Sequence, residues 1–136
     1  MSQNQAPSQF EQVVMVALPP KVEQRFTTAV RKALGAVELV KLEIEDLSNG
    51  LPDLTSSLVV LVHGAGDHDG VEELKRLRSR GVDSGVLLLA QGAPSLEAEV
   101  DGLGPVGTLS VNGFRRGALA NCLRALGTEV EEARKA

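Results

Sequence analysis

Short unbroken apolar runs alternate along this chain with stripes in which apolar residues recur every three or four positions. Residues 58–62, LVVLV, are too few for a helix, rich in Val and closed by Gly64 and Gly66, which is how a strand buried on both faces reads. The stretch after it has a helical period. Val71, Leu74 and Leu77 fall on one face with the charges opposite, Asp69 stands at the N-cap, and Glu72 and Glu73 fill the first turn. Lys75, Arg76, Arg78 and Arg80 load the later turns, and Gly81 supplies the stop. Residues 13–18, VVMVAL, give another buried-strand pattern. Pro19 and Pro20 end it and open a helix over 21–34, whose stripe is Val22, Phe26, Ala29, Val30, Ala33 and Leu34. Gly35 closes that helix.

Residues 37–44 interleave Val37, Leu39, Val40, Leu42 and Ile44 with Glu38, Lys41 and Glu43, a wetter strand suited to a sheet edge. Residues 45–56 carry Leu47, Leu51 and Leu54 but are broken by Asn49, Gly50 and Pro52, so a short turn or irregular connection is expected. Residues 86–90 are a further apolar run. Residues 95–103, with Leu96, Val100 and Leu103, predict a short, weak helix stopped by Gly102, Gly104 and Pro105. Residues 106–111 predict the last strand, and 115–126 the last helix, with Leu119, Cys122, Leu123 and Leu126 on its stripe and Val130 continuing it past Gly127. Five strands thus alternate with five helical segments, which implies a parallel sheet covered on both faces. A flavodoxin-like three-layer sandwich with strand order 2-1-3-4-5 places the wetter second and fifth strands at the edges. The expected organisation is a loose tail over 1–11, one domain over 12–127, and a charged extension of the last helix over 128–136.

Composition narrows the function classes. The 136 residues are 43% hydrophobic and 24% charged, enough for one domain with a real core. A formal net charge of -4 and the lack of a basic block argue against a sequence-independent grip on nucleic acid. The N-terminus has neither the basic residues nor the apolar core of a signal peptide, and no apolar run approaches the roughly 20 residues a membrane helix needs, so the expected location is cytoplasmic. The single cysteine, Cys122, excludes an intramolecular disulfide and reads as a small buried hydrophobe.

In an open parallel sheet the ligand crevice lies at the carboxyl ends of the strands, which puts any chemistry in the loop 63–70. His63, Asp67, His68 and Asp69 crowd there, but ligands adjacent in sequence rarely converge, and no Cys or Glu is placed to complete a tetrahedral set. The loop reads instead as polar, with Asp69 as a helix cap. Gly64 and Gly66 lack the Lys-Ser/Thr end of a P-loop and serve loop geometry. No Ser, His and acid arrangement or nucleophile elbow is present.

The order of elements, the Asp69-Gly70 pair and the spacing from Val62 to Ala90 to Asn112 resemble a receiver domain of bacterial two-component signalling over residues 12–127. The resemblance places Ala17 and Leu18, just before Pro20, where such domains carry an acidic pair, and Val62 where they carry the phosphoacceptor Asp. It places Ala90 at the Thr or Ser ending the fourth strand, Asn112 of Asn112-Gly113-Phe114 at the Lys, and Leu109 at the switch aromatic. A receiver needs the acidic pair to hold a hard cation, a carboxylate to attack phosphorus and a Lys to balance charge. All are apolar or neutral here, so the resemblance implies a pseudo-receiver that is neither an enzyme nor phosphorylated and needs no cofactor or metal.

What it implies is a signalling or scaffold module that binds another protein or self-associates as a homodimer. The alternative is a small-molecule binder or enzyme using the strand-end crevice, whose expected floor of Ala17, Leu18, Val62 and Ala90 lacks the groups an enzyme needs. In receivers the usual partner surface is formed by the last two helices and the last strand. Here that assigns Leu96, Val100, Leu103, Leu109, Arg115 and Arg116 to recognition, with apolar area left exposed by the weak helix. Arg115 and Arg116 equally read as solvated residues opening the last helix.

Overall fold

The structure, a computed structural model, describes residues 10, 12–35, 37–43, 45, 57–64, 69–82, 84–91, 97–110 and 117–135. Five strands, β1 (Gln12–Val16), β2 (Glu38–Leu42), β3 (Ser57–His63), β4 (Gly85–Ala90) and β5 (Val106–Ser110), form one parallel sheet in the order β2-β1-β3-β4-β5. The described helices are α1 (Pro20–Leu34), α2 (Gly70–Ser79), α3 (Glu97–Val100) and α4 (Ala118–Lys135). The alternating fold with two wet edges is therefore the one the pattern predicts.

The pleat divides each central strand between two cores. Val13, Met15, Leu58, Val60, Val62, Leu87 and Leu89 face α1 and α4, which supply Phe26, Val30, Leu123 and Leu126. Val14, Val16, Val59, Leu61, Val86 and Leu88 face α2 and α3, which supply Val71, Leu74, Leu77 and Val100. β4 is buried throughout and β3 up to His63, whereas β2 has only exposed and half-buried residues at its edge. Exposed Lys41 on β2 reaches Glu23 on α1 at 2.8 Å, a surface pair that contributes little.

Several boundaries move. β1 ends at Val16, not residue 18, because Ala17 takes φ +50°, outside the extended region. β2 is shorter than the 37–44 pattern. The helix expected over 95–103 ends at Val100 in α3, as Gly102 and Gly104 turn to positive φ soon after it. α4 begins at Ala118 and runs on through Gly127 to Lys135. Leu126 and Val130, one turn apart and both buried, hold this stretch to the sheet and offset the roughly 1 kcal/mol a mid-helix glycine costs. Phe10 is buried in the α1/α4 core although it lies in the segment that reads as a loose tail. Phe10 and Val130 both close on Gly85, where an added Cβ would lie 3.2 Å from the Phe10 ring and 3.0 Å from Val130 Cγ2. The core thus reaches past both ends of the 12–127 unit. The segment 46–56 lies outside the described residues.

Candidate functional site

At the carboxyl ends of the strands the chain folds apolar groups over the sheet. The Ala17 N–H donates to Leu42 O at 2.8 Å, turning the backbone across the end of β2. Leu18, 8% exposed, then joins the same core as Val62, 3% exposed, and Leu119 of α4. Ala90 ends β4 on the other face, buried beside Leu88. Ala17, Leu18, Val62 and Ala90 lie at one end of the sheet, and the last three are buried in its two cores.

The turn from β3 to α2 is built by its glycines and one carboxylate. Asp69 Oδ1 accepts from the Glu72 N–H at 3.1 Å, the N-cap that the sequence predicts. Gly70 lies so close to β3 that a Cβ there would meet Val62 O and Leu88 Cδ2, each at 2.8 Å. Gly64 has φ +90°, and its Cβ would stand 2.8 Å from Gln91 O. Close approach of backbone, in addition to turn geometry, is why these positions are glycine. The Gln91 N–H donates to His63 O at 2.9 Å, joining this turn to the one after β4.

His63 is the polar group at this end of β3. Its half-buried ring points Nδ1 toward Asp69 Oδ1, 3.5 Å away, with no hydrogen bond to that nitrogen among the described residues. Asp67 and His68 lie outside the described residues, and no metal-holding group of His, Cys, Asp and Glu occurs within them. On α4, half-buried Cys122 packs against the core; burial, and secondarily the Glu129 carboxylate, push its thiol above the ordinary value. No described helix is long and apolar enough to cross a membrane.

No family model matches the sequence, nor does any curated protein. Solved structures do match the fold. The signal receiver domain of an HD domain-containing protein from Pseudomonas fluorescens Pf-5 superposes with a TM-score of 0.67 at 18% identity, over 98% of both chains. The chain has the receiver fold. The chemotaxis protein CheY4 of Vibrio cholerae matches it with a TM-score of 0.63 at 17% identity, over 86% of this chain and 98% of its own. The response regulator ChrA of a heme-sensing two-component system matches with a TM-score of 0.63 at 18% identity. That match covers 91% of this chain and 63% of ChrA, so the chain spans under two thirds of that regulator.

Of the positions that the receiver resemblance singles out, the structure gathers Ala17, Leu18, Val62 and Ala90 at the strand ends. Asn112 lies outside the described residues, as do Leu96, Arg115 and Arg116. On the face assigned to recognition, Val100 is buried and Leu103 half-buried against the α2/α3 core, while Leu109 is half-buried against the opposite one. The weak helix therefore covers Val100 and does not present it.

Sequence reasoning misses two features. His63 beside Asp69 follows from the seven-residue length of β3, which carries His63 to the lip of the turn. Arg78, read as one of the charges opposite the buried stripe, turns instead into the loops before β4 and β5. Its place directly after buried Leu77, at the margin of the apolar face, is the available signal.

Proposed function

We propose that this chain is a signalling or scaffold module that uses the receiver fold to bind another protein and does so without being phosphorylated. The observation that carries the reading is Val62. At the place the resemblance gives to the phosphoacceptor stands an aliphatic side chain, 3% exposed and packed in one core with Leu18 and Leu119. It has no nucleophilic atom, and the side chains of Ala17 and Leu18 offer no carboxylate ligand for a divalent cation. With the phosphoryl relay missing at Ala90 and Leu109 as well, recognition rests on a fixed surface, not on one remodelled by phosphate. Half-buried Leu103 and Leu109 belong to that surface, with Arg115 and Arg116 favouring an acidic partner.

The test is incubation of the protein with acetyl phosphate and Mg²⁺, followed by intact-mass spectrometry. The expected outcome is an unmodified mass. A stable phospho-adduct would overturn the reading.

A further inference from the structure

The crossover from β4 to β5 returns through a four-residue helix and two glycines at positive φ, Gly102 and Gly104. Its apolar anchors are buried Val100 and Pro105 and half-buried Leu103. Its polar anchor is Arg78, which reaches it from the last turn of α2. Arg78 Nε donates to Leu103 O, and Nη2 donates to Pro105 O at 2.9 Å. Nη1 donates to Val82 O at 2.9 Å and to Ser84 O at 2.8 Å, on the loop leading into β4. All three guanidinium nitrogens are thus spent on main-chain carbonyls of two different loops. Pro105 O also accepts from the Val86 N–H at 3.1 Å, so the clamp is continuous with the start of β4.

The loop lies flat on the guanidinium. At Gly104 a Cβ would stand 3.2 Å from Arg78 Nε and 3.3 Å from Cζ, tighter than an ordinary side chain accepts. A planar fork of fixed donors can hold four carbonyls at once in one arrangement; a lysine, with a single nitrogen, cannot span them. We infer that Arg78 is a built-in lock that fixes residues 100–105 to the loop before β4 in a single conformation. The inference concerns the fold alone. Its consequence for recognition, that the surface around α3 and β5 is held in one shape, rests on the proposed function.

Amide hydrogen exchange by NMR on the full chain tests the lock, comparing wild type with Arg78→Gln and Arg78→Lys. The reporters are the Leu103 N–H, which bonds to Val100 O, and the Val86 N–H. In Arg78→Gln both should lose protection by about tenfold or more while the amides of β1 and β3 keep theirs. Arg78→Lys, which keeps the charge and not the fork, should lose protection at the same two amides, and decides the matter alone if the Gln variant does not fold. Protection unchanged in the variants, or lost equally across the whole sheet, would overturn the lock, as would a Lys variant indistinguishable from wild type. None of these outcomes depends on whether the protein can be phosphorylated.

Discussion

A carboxylate at Val62 would face a wall of methyl groups. The side chain is 3% exposed and shares its core with Leu18 and Leu119, while Gly70 packs onto its carbonyl. Val62→Asp should therefore lower stability by about 3 kcal/mol or more at neutral pH, measured by urea unfolding. Burial would raise the new carboxyl's pKa above that of the unfolded chain, so the unfolded state ionises first as pH climbs. The loss should accordingly grow with rising pH and shrink in acid, where both states are protonated. An unchanged midpoint would show that water reaches the position and would reopen an active-site reading. The contrast with His63 is one residue wide: the strand turns Val62 into one core and His63 toward the Asp69 carboxylate on the other face.

The β3–α2 turn shows what an element needs beyond its hydrophobic stripe. Asp69→Ala removes the acceptor for the Glu72 N–H and should cost about 1 kcal/mol, whereas Asp69→Asn, which keeps an acceptor, should cost a few tenths. Thermal unfolding of the pair separates a cap from a charge effect, since a charge effect would weaken both alike. This cap was legible in advance because Asp69, the acidic first turn and the Val71, Leu74, Leu77 stripe all agree. The strand order was legible for a similar reason, the charges interleaved in β2 having no other place than an edge. Ends of elements were less so. Whether Ala17 continues β1 depends on a backbone angle that alanine rarely adopts, whereas the run of α4 past Gly127 was legible from Val130 on its stripe. Arg78 left only its place at the margin of the apolar face as a signal, because its partners are backbone carbonyls, which carry no residue identity.

Across the whole molecule, the crevice end and the opposite end are built to different purposes. The face beside the last strand is the one proposed to meet a partner, and Arg115→Glu combined with Arg116→Glu should abolish capture of the protein that wild type retains, with the melting temperature unchanged. Retention at unchanged affinity would move the interface to α1 or to the 63–70 loop. Leu103 is a poorer probe, since it also packs on the α2/α3 core. At the far end, Phe10 and Val130 meet over Gly85, where β4 begins. The first and last parts of the fold thus share one pole, the pole away from Ala17, Val62 and Ala90. With Phe10 and Val130 already meeting there, a short peptide bridge between those two residues would close the chain into a ring, which could be reopened at another loop without dismantling either core.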